Sequence, residues 1–155
     1  MATLKTQIRE YITLYGDKYD SSNNLDVESI NEVSKRIITV PVTEQDLINI
    51  SGSVGSGAFI TEDVRYVRIT NIGNADDHKA NVTLTFKSSD SDEFAIKLAK
   101  GNSYIYNGIS GSGLTNTMDA TGSAGLTHPT TGSLSNITAY ASGAACNVEY
   151  FIASN

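Results

Sequence analysis

The residues best equipped for chemistry in this chain are few and scattered. Two histidines are present, His78 and His128, with one cysteine, Cys146. His78 stands in the run Asp76-Asp77-His78-Lys79, where adjacent carboxylates would suit a general base or a metal ligand. The same run is rich in turn formers and lies between two strand-like stretches, so a turn is the expected role. His128-Pro129 falls in a Gly-rich segment far along the chain, and only a coincidence in space would pair the two histidines. A nucleophilic thiol needs a neighbouring base. Ala144-Ala145-Cys146-Asn147-Val148 reads instead as a buried strand, with Cys146 a small core hydrophobe that has no disulfide partner.

The oxygen-bearing clusters are equally unspecific. Asp17, Asp20, Asn23 and Asp26 recur every third residue, whereas a calcium loop alternates its ligands and closes on a glutamate. Asp90, Asp92 and Glu93 look like a solvated hairpin tip. Gly52, Gly55 and Gly57 satisfy neither phosphate-binding glycine pattern and precede no helix. Asn81-Val82-Thr83 and Asn136-Ile137-Thr138 fit the N-glycosylation pattern but need a secretory route. The N-terminus has no charged segment followed by an apolar stretch and cleavage site, so synthesis in a cytoplasm is expected. Among 17 Asp and Glu no spacing singles out an acid pair. The chain is therefore expected to be no enzyme and to hold no metal or cofactor.

What remains is a scaffold, and composition says which kind. The 155 residues fit one domain, spanning residues 1–155. Charged residues make up only 18%, below the ~25% usual for soluble domains, so Ser, Thr, Asn and 13 Gly carry the polar surface and favour strands and turns. A net charge of −6 without a basic cluster argues against a nucleic-acid partner. No apolar run approaches the ~20 residues of a membrane helix, so no membrane is expected either.

Periodicity places the strands. Leu4 to Leu14 alternates with a period near two, as a half-buried strand or arm would; Gly16 to Asn24 reads as a loop. Ile38, Val40 and Val42 share a parity with Pro41 inside the run, the mark of an edge strand or a bulge. Phe59 to Thr70 carries apolar groups on both faces, like a central strand. Val82, Leu84 and Phe86, then Phe94, Ile96 and Leu98, alternate on either side of a polar turn and predict a hairpin. Ser103 to Asn107 is expected as the third strand of that meander. Residues 108–133 read as a long Gly/Ser/Thr-rich loop, and Leu134 to Tyr140 and Cys146 to Ile152 as two closing strands. Seven to nine short strands at this spacing predict an all-β fold, an antiparallel β-sandwich or jelly roll with an extended N-terminal segment.

The segments Ile30 to Val40, Val64 to Ile72 and Asp92 to Tyr106 resemble those of small virion structural proteins of marine tailed bacteriophages, cyanophages included. The resemblance spans most of residues 1–107. It implies a β-rich particle component made in the host bacterial cytoplasm and located on the virion, and it carries over no catalytic residue. The implied role is a capsid decoration or cement protein that binds the major capsid protein or another virion protein, as a homo-oligomer with a trimer favoured. A tail, neck or fibre component with a glycan-binding sandwich is the alternative. The candidate interface residues are Ala2, Thr3, Leu4 and Ile8 on the N-terminal arm, Ile38 and Val40 on the edge strand, and Tyr104 and Tyr106, which share one face of their strand.

Overall fold

The alternation of Val82, Leu84 and Phe86 marks the middle of the molecule. The computed structural model describes residues 1–53, 55, 57–73, 80–89, 93–107, 118–120 and 130–155. Among these it contains thirteen strands and no helix. They are β1 Ala2–Leu14, β2 Asp17–Ile30, β3 Glu32–Val40, β4 Gln45–Ser51, β5 Ala58–Ile60, β6 Val64–Gly73, β7 Asn81–Ser88, β8 Glu93–Leu98, β9 Ser103–Asn107, β10 Met118–Ala120, β11 Thr130–Gly132, β12 Leu134–Ser142 and β13 Cys146–Ser154.

Two sheets form the body of a β-sandwich. One has the order β5-β4-β12-β7-β8 and the other β3-β13-β6-β9. Pairing is antiparallel throughout these sheets except between β4 and β5. In the first, Val82, Leu84 and Phe86 lie opposite Ala141, Ala139 and Ile137 on one side and Leu98, Ile96 and Phe94 on the other. In the second, Val148 and Cys146 lie opposite Ile38 and Val40. These rows meet in one core, with Ile69, Leu84, Ile137 and Ile152 wholly buried. Each such side chain contributes roughly 1.5–3 kcal/mol when removed from water, and the core dominates the stability of the fold.

A buried asparagine ties the sheets together. Asn71, on β6, donates from Nδ2 to the carbonyls of Ala80 and Leu98, each at 3.0 Å, and its Oδ1 accepts the Gly73 N–H at 2.8 Å. Leu98 belongs to the opposite sheet, so this amide crosses the sandwich with its polar atoms satisfied. A buried amide without such partners would be costly, which is why the position suits Asn.

Several expectations from sequence are met and several change. The β7–β8 hairpin forms as expected, and β3 lies at a sheet edge, ending before Pro41, which lacks a donor. The stretch Phe59–Thr70, expected as one central strand, is divided by a turn at 61–63 into β5, in the five-stranded sheet, and β6, which is paired on both edges in the other. Of the stretch read as a loop at Gly16–Asn24, Gly16 forms a turn, while Asp17–Asn24 belong to β2 and pair residue by residue with β1. β9 is not the third strand of a meander, because it leaves β8 and pairs with β6 in the other sheet. Of the expected 108–133 loop, residues 108–117 and 121–129 lie outside the described residues, while β10 and β11 form a short antiparallel ladder.

Candidate interaction surface

A ribbon of two long strands stands on the sandwich. β1 has 13 residues and β2 has 14, joined through Tyr15 and Gly16. At ~3.4 Å per residue the ribbon is about 40 Å long. Tyr15 has φ 52° and Gly16 φ 94°, and Leu14 pairs with Asp17 across them. Positive φ at both central residues is what a two-residue hairpin turn requires, and a glycine at the second accepts it without a Cβ penalty.

Register sorts the ribbon into two unlike faces. Leu4 lies opposite Val27, Thr6 opposite Leu25, Ile8 opposite Asn23, Ile12 opposite Tyr19 and Leu14 opposite Asp17, all on one face. Lys5 and Asp26, Gln7 and Asn24, Arg9 and Ser22, Thr13 and Lys18 occupy the other, joined there by Tyr11 and Asp20. Arg9 and Asp20 bridge at 2.8 Å on this second face. The first face carries the apolar residues of the ribbon at its base and its tip, interrupted by Thr6, Asn23, Glu10, Ser21 and Asp17.

Only the base of that face is covered. The outward side of β13-β6-β9 presents Tyr66, Phe151, Ala153 and Ile105, and Leu4, Val27 and Ile30 pack on them. Tyr66 and Phe151 meet edge to face at 6.0 Å. A register shift between Ala2 and Leu4, with Ser29 at φ 61°, bulges β2 at the base and turns Ile30 onto the sheet, where it is buried. Beyond the base an open groove of ≈330 Å³ separates Leu4–Ile8 from Tyr66, Arg68, Ile105 and Phe151. Every residue from 7 to 24 is exposed. Tyr11 is 80% exposed, Ile12 58% and Tyr15 98%. A two-stranded ribbon alone in water is marginal at best, so an exposed apolar face at its far end is unusual and informative.

Charge on the outward face of the four-stranded sheet is concentrated beside the groove. Glu149 accepts from Arg68 at 2.6 Å and pairs with Lys35 at 3.2 Å. Lys35, assisted by Arg68, holds the Glu149 carboxyl below its ordinary range against the opposing effect of burial. Arg68 also donates to Thr70, whose hydroxyl meets Ser103 at 2.7 Å. On the other sheet Glu44 accepts from Lys87 at 2.7 Å and Thr138 at 2.5 Å, and the Lys87 and Thr138 bonds lower its pKa. The Glu44–Lys87 pair lies open to solvent and orients its side chains more than it stabilises the fold, whereas the Glu149 side chain is only 16% exposed, so its two cations face a largely covered carboxylate.

The residues nominated from sequence divide into two groups. Ala2, Thr3 and Ile8 are exposed, and Leu4 is half-buried against the sheet, all within β1. The segment is thus one strand of a ribbon rather than a free arm. Val40 is corrected: it is wholly buried in the core and has no surface to offer a partner. Ile38 packs against the same core. Tyr104 and Tyr106 do share a face, but it is the inward one; both pack on the core, Tyr104 lies 4.7 Å from Phe86, and burial raises the pKa of both phenols. Sequence reasoning missed Ile12, Leu14 and Tyr19, although the even-numbered alternation contained the first two.

Among the described residues the other chemical candidates do not come together. Asp17 and Asn23 lie on the opposite face of β2 from Asp20 and Asp26, because residues three apart in a strand alternate sides. Cys146 is buried and its thiol pKa is raised by that burial. Asn136 donates to Asp46 at 2.8 Å from within β12. His78 with Asp76, Asp77 and Lys79, His128, and Asp90 with Asp92 lie outside the described residues. Among the described residues no three His, Cys, Asp or Glu side chains converge to hold a metal ion, and no helix is long and apolar enough to cross a membrane. A cleft of ≈330 Å³ at the β3–β5 edge is lined by Glu32, Arg36, Phe59, Asp63 and Tyr150 among others. Comparison of the chain with protein-family models, curated proteins and solved structures found no match.

Proposed function

We propose that this protein is a non-enzymatic structural component of a phage virion, a decoration or cement protein that seats on the major capsid shell and links neighbouring subunits. The observation that carries the reading is the ribbon β1–β2, an arm with an apolar face that its own sandwich covers only at the base. An assembly protein has use for such a device: the sandwich folds alone, while the arm gains its full burial only against a neighbouring molecule. The acidic, Ser/Thr-rich exterior keeps many copies soluble before assembly. A homo-oligomer, a trimer by preference, is part of this reading, as is a location on the virion.

Mass spectrometry of density-purified virions tests it. The protein is expected at a copy number comparable with that of the capsid subunits; its absence from intact particles would overturn the proposal. A tail or fibre component is the second reading, favoured by the cleft at the β3–β5 edge, where Arg36, Glu32 and Asp63 beside Phe59 and Tyr150 resemble the mix of charged and aromatic groups that suits a glycan. A copy number near that of tail subunits would support this reading.

A further inference from the structure

The arm and the sheet beneath it each leave apolar side chains uncovered. On the arm it is the distal part, with Ile12 58%, Tyr19 56% and Leu14 48% exposed. On the sheet it is the β3 side of the outward face. Val33 lies opposite Ala153, which lies opposite Tyr66; Lys35 opposite Phe151, then Arg68 and Ile105; Ile37 opposite Glu149, then Thr70 and Ser103. The part of this face on β13, β6 and β9 receives the chain's own arm base, while Val33 stays 53% and Ile37 60% exposed.

We propose that the distal arm of one copy docks on the outward face of β3 in a second copy, laying Ile12, Leu14 and Tyr19 over Val33 and Ile37. The contact continues an interface that already exists within the chain, since the same face of the ribbon already packs on the same face of the same sheet. The arm leaves its own β3 side uncovered, since its residues from 7 to 24 are exposed in the single chain. From Ile8 to Leu14 the ribbon runs on for about 20 Å.

Charge fits as well. The docking face of the ribbon carries Glu10 and Asp17 and no cation, whereas the outward sheet face carries Lys35 and Arg68 against the single Glu149. Each chain bears both halves, so copies satisfy one another either as a reciprocal pair or head to tail around a closed ring. The contact needs no capsid shell, and its failure is therefore distinct from failure of the virion reading.

Disulfide trapping tests the register directly. The native Cys146 is first replaced by Ala. Purified Ile12→Cys and Ile37→Cys proteins are then mixed and mildly oxidised. A mixed covalent dimer is expected, and a mixture of Thr13→Cys with Ile37→Cys should give far less, because Thr13 lies on the polar face of the ribbon. Sedimentation of the otherwise native chain should show self-association that Ile12→Asp or Ile37→Asp weakens at least about tenfold, with an unchanged β-rich circular dichroism spectrum. A chain that stays monomeric at every concentration tested, or an oligomer indifferent to both substitutions, would overturn the proposal. So would equal trapping through Thr13.

Discussion

Ile12 and Tyr19 face each other across the two strands of the arm, on the same side of the ribbon as Leu4 and Val27, yet only Leu4 and Val27 are packed against the sandwich. One amphipathic surface thus passes from an intramolecular contact at its base to open solvent at its tip. The same register that hides one end keeps the apolar side chains of the other on the same, open face, because a residue cannot change faces without shifting the whole ladder.

The distal arm is expected to be dispensable for folding. Deleting residues 9–22 and joining Ile8 to Asn23 through Asn-Gly should leave the melting temperature of the sandwich within a few degrees (~5 °C) of the native value, since the removed residues contribute nothing to either core cluster. Differential scanning calorimetry checks this; collapse of the transition would mean that the arm belongs to the folding unit.

Asn71 should behave in the opposite way. Replacing it by Leu strands the Ala80 and Leu98 carbonyls and the Gly73 N–H in the interior, at a cost of about 3 kcal/mol. The denaturation midpoint should fall with the slope unchanged. A loss below ~1 kcal/mol would show that water or a shifted backbone replaces the amide.

Gly16 governs the tip. At φ 94° a side chain is strained even though nothing lies within 4 Å of its Cβ position. Gly16→Val should therefore loosen the turn by about 1 kcal/mol or more while leaving the sandwich melting unchanged. Amide exchange should quicken in β1 and β2 alone.

Acid sensitivity follows from Glu149 and Glu44. Both carboxyls are held below their usual value of 4.5, Glu149 first by Lys35 and Glu44 first by Lys87. The native state thus binds protons less readily than the unfolded chain. The stabilisation is complete above the unfolded pKa and disappears as pH falls through the lower folded values. Glu149→Gln should lower stability at neutrality by a modest amount and leave it unchanged once pH has fallen below the folded value, so that the acid limb of a stability–pH curve flattens. An identical acid limb in the variant would remove Glu149 from the account.

The core was legible in the sequence where strands alternate and turns are short. Val82 to Leu98 needed nothing beyond periodicity, and Pro41 marked β3 as an edge strand, although the run read through to Val42 stops at Val40. The arm was half legible. Leu4 to Leu14 declared one strand, but Asp17 to Asn24 consists of residues whose side chains favour turns, and only their partner strand and the Tyr15-Gly16 corner hold them extended. The path of β9 was hidden for another reason. Tyr104 and Tyr106 alternate as well for one sheet as for the other, and their choice of β6 depends on the remote surface they cover. Val40 illustrates the same point: edge position was readable, whereas the direction of a given side chain on that edge was not.

The most direct test of the central claim is light scattering of expanded capsid shells that lack this protein, mixed with the native chain and with the chain shortened by deletion of residues 9–22. The account predicts saturable uptake of the native chain at a copy number set by shell symmetry, and weakened, non-saturating uptake of the shortened one. No gain in particle mass with the native chain would contradict a decoration role, and equal uptake of both chains would contradict the part assigned to the arm.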